Sequence, residues 1–167
     1  MDSYFSKYDR DRIFGSRHNC FRHKLVGAIE LNPEYEPEDM DKAVRWALAS
    51  ADQEYTPFLA IMVPPKWNGT AYQQYQGSKN YHHLVTIPRD QFKFKSATHW
   101  QEIQEYRGHP KWDVNLVIIA NSAGMQRYYN HNRIQKHTNA AALKLGIKIP
   151  NLKSINVFDN ADNGYGY

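Results

Sequence analysis

Asn32, Pro33, Glu34 and Tyr35 form the stretch of this chain whose residue types and spacing could handle a nucleobase. An asparagine side-chain oxygen and a neighbouring backbone carbonyl can both accept hydrogen bonds from an exocyclic amino group. An aromatic ring two or three residues further on can stack on the base, and such a turn could orient an adenine amine for methyl transfer. Taken alone, the tetrapeptide is a weak signal, because Asn-Pro marks turns of every kind.

The other chemically suggestive residues converge less well. Eight histidines invite a metal reading, but His82 and His83 are adjacent and would point to opposite faces of a strand. No His-Glu-x-x-His or zinc-finger spacing occurs, so no metal site is expected. Cys20 has His18 and His23 nearby, without the acid or oxyanion signature that a thiol nucleophile needs. Tyr72, Tyr75, Tyr81, Tyr106, Tyr128 and Tyr129 lie among basic and amide residues. Aromatics in such company can stack single-stranded RNA, although half-buried tyrosines at an interface look the same in sequence.

Charge is distributed unevenly. Ala28 to Glu54 holds eight acids and two bases, whereas Met125 to Lys153 holds six bases and no acid. Residues 1–24 carry six bases and three acids. A basic segment of this kind can grip phosphates, with Lys136 and Lys144 as its candidate contacts, or can be an arm docked on an acidic neighbour.

These residues need elements to position them. Leu25 to Leu31 is an apolar run of strand length that delivers the Asn32 turn. Pro37, with Glu36, Glu38 and Asp39 around it, opens a helix, since proline suits the first turn and acids suit the positive helix end. Met40, Ala43, Val44, Ala47 and Leu48 then fall on one face, which predicts a helix over 37–53. Pro57 to Pro64 is apolar throughout and reads as a strand buried on both faces. His82 to Ile87 and Val114 to Ala120 complete the strand candidates. Weaker helical patterns fall at 97–106 and 134–145, and the segment from Tyr72 to Lys79 could form a short helix. The strand–helix alternation indicates an α/β fold with a sheet of about four to five strands. A half sheet of this size leaves an unpaired edge on its first strand, which proteins normally pair or cover.

Length and composition set the frame. A chain of 167 residues is one domain, or one domain with a tail. Its 41% hydrophobic content supplies a core, and no apolar stretch reaches membrane-spanning length. The polar, charged start is unlike a secretory leader. A single cysteine excludes an internal disulfide framework and suits an intracellular setting, nucleus or cytoplasm, with a virion as another possibility.

Several segments, in collinear order over residues 4–130, resemble one family. They are Asp9 to Ser16, Phe21, Ala28 to Tyr35, Pro37, Met40, Phe58 to Trp67, His82 to Pro88 with Phe92 and Phe94, and Val114 to Gly124. Together they are similar to the catalytic domain of the cap-specific adenosine N6-methyltransferases, the family of the phosphorylated-CTD-interacting factor with a WW domain. The resemblance implies that Asn32 accepts from the adenine N6 amine, Pro33 offers its carbonyl and Tyr35 stacks. It implies S-adenosylmethionine as methyl donor, with Phe14, Gly15 and Ser16 near the cofactor, and it matches Trp67 to a family tryptophan on the substrate side. Glu34 stands where the family has a second proline, which removes a fixed φ and adds a charge. Lys66 replaces an acid before the tryptophan.

Only eight residues precede Asp9, so the family's opening strand and cofactor loop find no match in this sequence. The resulting expectation is a partial Rossmann-like methyltransferase sheet with flanking helices. Residues 1–24 are read as an arm, 25–124 as the α/β half-domain, and 125–167 as a basic arm and polar tail. The open edge of strand 25–31 calls for another protein chain or for cover by Met1 to Lys24. Three functions follow from this. The first is a truncated, methyltransferase-like module, inactive alone, that contacts RNA or protein in a larger assembly. The second is a partner-dependent mRNA cap adenosine N6-methyltransferase using S-adenosylmethionine, and the third is a structural component of a viral or other large particle.

Overall fold

A computed structural model describes residues 5–6, 9–18, 20–67, 75–91, 111–145 and 151–155. Two short strands, β1 (Phe5–Ser6) and β2 (Arg17–His18), pair in parallel around a 3-10 turn at Asp9–Phe14. The chain then enters β3 (Gly27–Leu31), α1 (Pro37–Ala51) and β4 (Phe58–Met62). After these come β5 (Tyr81–Ile87), β6 (Val114–Ala120), α2 (Ser122–Tyr128) and α3 (His131–Leu145).

The second sheet has four strands in the order β3-β4-β6-β5. β3 and β4 are parallel, as a β–α–β connection through α1 requires. β6 then inserts antiparallel to both β4 and β5. The fold is therefore α/β with a mixed sheet. The first strand is shorter than its apolar run because Gly27 takes φ +84° and breaks the extended path after Leu25 and Val26. Leu25 is buried instead beneath α1, where its N–H donates to Ser50 Oγ at 3.2 Å.

α1 forms where the sequence predicts it, starting at Pro37 and ending at Ala51. Its apolar stripe of Met40, Ala43, Val44, Ala47, Leu48 and Ala51 is buried against Phe58, Ala60, Met62, Val117 and Ile119. Each fully buried Met or Val here contributes about 1.5–3 kcal/mol. The opposite face of the sheet, with Leu59, Leu84 and Ile118, is covered by Met125 of α2, Ile134 of α3 and Leu152. Part of the basic 125–153 segment is therefore built into the core. The helix expected at 134–145 begins three residues earlier, where Asn130 Oδ1 accepts from Arg133 N–H at 2.9 Å. The helix expected at 97–106 lies outside the described residues. Of the segment expected as a short helix from Tyr72, residues 75–77 form one 3-10 turn.

The two strands at the sheet's borders differ. β5 is irregular between His83 and Val85, and Lys153 N–H bonds the Leu84 carbonyl at 2.9 Å, so residues 151–155 lie against it. β3 is regular over five residues and, among the described residues, pairs with β4 alone.

Candidate functional site

β3, β4 and β5 run in one direction, and β6 runs against them. Their carboxyl ends therefore share a rim with the amino end of β6. In open α/β sheets, ligands bind at this rim. Asn32, Pro33 and Tyr35 emerge there directly from β3, and Trp67 emerges from the segment after β4. Asn32 is exposed, and among the described residues its amide makes no hydrogen bond. Tyr35 is half-buried, and its hydroxyl donates to the Val63 carbonyl at 2.9 Å, tying the turn to the exit of β4. Burial pushes its phenol up from the ordinary value of 10.0.

The rim also contains residues that sequence reasoning missed. Trp112, just before β6, lies between two aromatics of the predicted site. Its ring centroid is 5.5 Å from Trp67, edge to face, and 6.4 Å from Tyr35. Such contacts add about 0.5–1.5 kcal/mol beyond area burial. The next residue, Asp113, accepts from Arg89 N–H at 3.0 Å and lies 3.9 Å from Lys66 Nζ. Its carbonyl accepts from Lys66 N–H at 2.7 Å. Lys66 is thus held beside an acid from the segment just before β6. The only hint in the sequence was a Lys-Trp-Asp triplet before an apolar run, and that does not reveal which end of the sheet it reaches.

A polar group lies further along the same rim. Thr86 Oγ1 donates to Asn115 Oδ1 at 2.8 Å, and His83 Nε2 lies 3.0 Å from Thr86 Oγ1 and 3.3 Å from Asn115 Oδ1. With the threonine proton committed, His83 Nε2 is the donor to this pair. Burial lowers the His83 pKa below 6.5, the Asn115 bond opposes this, and Lys153 and Lys66 add to the lowering. Burial alone lowers that of His82. Among the described residues no group of three or more His, Cys, Asp or Glu side chains could hold a metal ion. Cys20 is part-buried, and burial pushes its thiol up from 9.0, away from the reactive thiolate.

The remaining predicted residues lie on other elements. Gly15, at φ +85°, closes a turn with its N–H on the Arg12 carbonyl at 3.0 Å. Ser16 is buried, with its N–H on Asp11 O at 3.3 Å and its hydroxyl on Arg17 O at 3.3 Å. These donors are engaged within the arm. The Phe14 side chain lies outside the described residues. Lys136 is exposed on α3, and Lys144 belongs to the same helix. The arm reaches α1 further on. Trp46 Nε1 donates to His23 O at 2.8 Å, Phe21 meets Trp46 at 5.2 Å, and Lys42 Nζ sits 4.2 Å over the Phe21 ring.

Beside the rim, along β3, runs a groove of about 470 Å³. The register sets Ala28 next to Leu59 and Glu30 next to Ile61 on one face. These four and Val63 line the groove, and Glu30 is its one ionisable side chain among the described residues.

Residues 1–97 match the family described as Phosphorylated CTD interacting factor 1 WW domain. The match spans more than half of the 167 residues, and the chain belongs to this family. It covers β1 to β5 and α1, including the Asn32 turn. No curated protein matches the chain. No helix among the described residues is long and apolar enough to cross a membrane.

Proposed function

We propose that this member of the phosphorylated CTD interacting factor 1 family is a protein-interaction module, built on a methyltransferase-like half sheet that joins a partner chain along β3. The family's title names a factor that interacts with another protein, which supports the interaction role in its general form. The observation that carries the strand-edge reading is the state of β3. Gly27 N–H bonds Pro57 O at 2.9 Å. Alternate residues of a strand bond to opposite sides, so the backbone groups of Ala28 and Glu30 point away from β4. Sheet edges are normally blunted by bulges, prolines, lysines or a covering segment. β5 has a register irregularity and residues 151–155 against it. Among the described residues β3 has neither, and an apolar groove lies beside it. A strand added there gains main-chain hydrogen bonds from the edge and side-chain selectivity from the groove.

A photo-crosslinking residue at Ala28, in cells that express the protein, tests this reading. A discrete adduct to another polypeptide is expected from Ala28 and not from exposed Ala49 on α1. Absence of an adduct, or equal adducts from both positions, refutes the reading.

The exposed Asn32 amide at the sheet's carboxyl rim favours a second reading. In it the chain is the acceptor-binding part of an mRNA cap adenosine N6-methyltransferase, and a partner helps hold S-adenosylmethionine. Arg133, Lys136 and Lys144, in the acid-free segment, would then neutralise RNA phosphates. Calorimetric titration of S-adenosylmethionine into the chain with its partner should show binding. Lys136→Ala with Lys144→Ala should weaken RNA affinity and flatten its salt dependence. No cofactor binding with the partner present removes this reading.

A further inference from the structure

We infer that the strand added to β3 comes from a second copy of this chain, in an antiparallel two-fold pairing centred on Ile29; the inference rests on the strand-edge reading. The backbone geometry permits it. Ala28 and Glu30 both direct their N–H and C=O groups outward, where among the described residues they make no hydrogen bond, and a two-fold at Ile29 sets each opposite the other in the neighbouring copy. In antiparallel sheets directly opposed residues alternate between hydrogen-bonded and non-bonded pairs. Ala28 with Glu30 of the second copy becomes a bonded pair, on both sides of the axis, and the two Ile29 residues form the non-bonded pair between them. No outward-facing group of the edge is left facing a non-bonding position.

Charge selects the partner and its direction. The flank before β3 carries Arg22, His23 and Lys24, all exposed. The flank after it carries Glu34, Glu36 and Glu38, also exposed. Antiparallel self-pairing brings the basic flank of each copy beside the acidic flank of the other, twice per dimer. Gly27 and the Asn32 turn end the extended path, so the flanks face each other as charged patches at the two ends of the pairing, not residue by residue. A parallel neighbour of the same kind would set acid against acid. Within the strand, Glu30 faces Ala28 rather than Glu30 of the second copy, which avoids a like-charge pair directly opposite. The two grooves meet across the axis, so that Leu59, Ile61 and Val63 of both copies form one apolar trough.

Sedimentation velocity on the full chain from about 1 to 200 μM, the range in which a modest interface becomes visible, tests the inference. A concentration-dependent dimer is expected. Ala28→Pro removes an outward N–H without touching the β3–β4 ladder and should abolish the dimer. Because that variant could fail to fold, a charge swap is run beside it, with circular dichroism to verify folding. Lys24→Glu and Glu34→Lys should each raise the dimer dissociation constant by about tenfold, because each reverses one charge of a facing patch at both ends of the dimer. The double swap should restore it. A monomer at every concentration overturns the inference, as does a dimer indifferent to single swaps or one the double swap fails to rescue. The crosslink from Ala28 remains a separate readout. An adduct to a different polypeptide, together with a monomeric chain, keeps the strand-edge reading and refutes self-pairing.

Discussion

Replacing Asn121 by alanine should cost this fold more than any substitution in the predicted site. Asn121 is 4% exposed, and four hydrogen bonds meet at its side chain. Its Oδ1 accepts from Gly124 N–H at 2.7 Å, capping α2, and from Phe58 N–H at 3.2 Å. Its Nδ2 donates to Gln53 O at 2.6 Å and Thr56 O at 2.8 Å. One amide thus joins the start of β4, the loop after α1 and the first turn of α2. Loss of an N-cap costs about 1 kcal/mol. The Phe58 N–H, on a residue with no exposed surface, loses its partner at a further cost of about 1–3 kcal/mol. The two loop carbonyls lie nearer to water and add a smaller penalty. The sum is about 2–5 kcal/mol, a large share of the 5–15 kcal/mol typical of a whole domain. Asn32→Ala removes an exposed amide that makes no hydrogen bond among the described residues, and should change stability by less than about 0.5 kcal/mol. Urea unfolding followed by circular dichroism, with linear extrapolation, gives both values. A cost below about 1 kcal/mol for Asn121→Ala, or equal costs for the two variants, would refute this account of the two asparagines.

A β-carbon added at Gly124 would sit 1.9 Å from Phe58 O and 2.5 Å from its carbonyl carbon. Since both are backbone atoms of a core strand, Gly124→Ala should lower stability by about 3 kcal/mol or more in the same assay. Burial lowers the folded-state pKa of His82 and His83 below 6.5, so the unfolded chain binds more protons in the window under that value. Stability from these groups is fully present above about pH 6.5 and falls as pH drops towards the folded values. His83→Gln should flatten that dependence in a pH series of unfolding curves, and an unchanged slope would contradict the assignment. Tyr35→Phe deletes the hydrogen bond to Val63 O, and a loss of about 1 kcal/mol or less is expected in urea.

Local patterns were legible wherever one element decides its own face. The α1 stripe, the proline at its start and the strand character of 58–62, 82–87 and 114–120 all follow from nearest-neighbour physics. The family was also legible, because short matching segments keep their order along the chain. The Asn32 turn was found because asparagine, proline and an aromatic sit within four residues. Trp112, Asp113 and the His83–Thr86–Asn115 group were not found. Their meaning depends on β6 running antiparallel between β4 and β5, and no periodicity encodes a strand's direction or its place in a sheet. Asn121 and Gly124 belonged to a segment that carried the family resemblance, and only the packing of α2 on Phe58 shows what they do.

The amino-acid order alone showed α1, the cores of the strands at 58–62, 82–87 and 114–120, the family, and where a base-handling turn could sit, because these rest on patterns within a few residues. Tertiary structure decided the rest. It gathered one rim from four separated segments and set residues 151–155 against β5, because strand order is settled by long-range burial and hydrogen bonding.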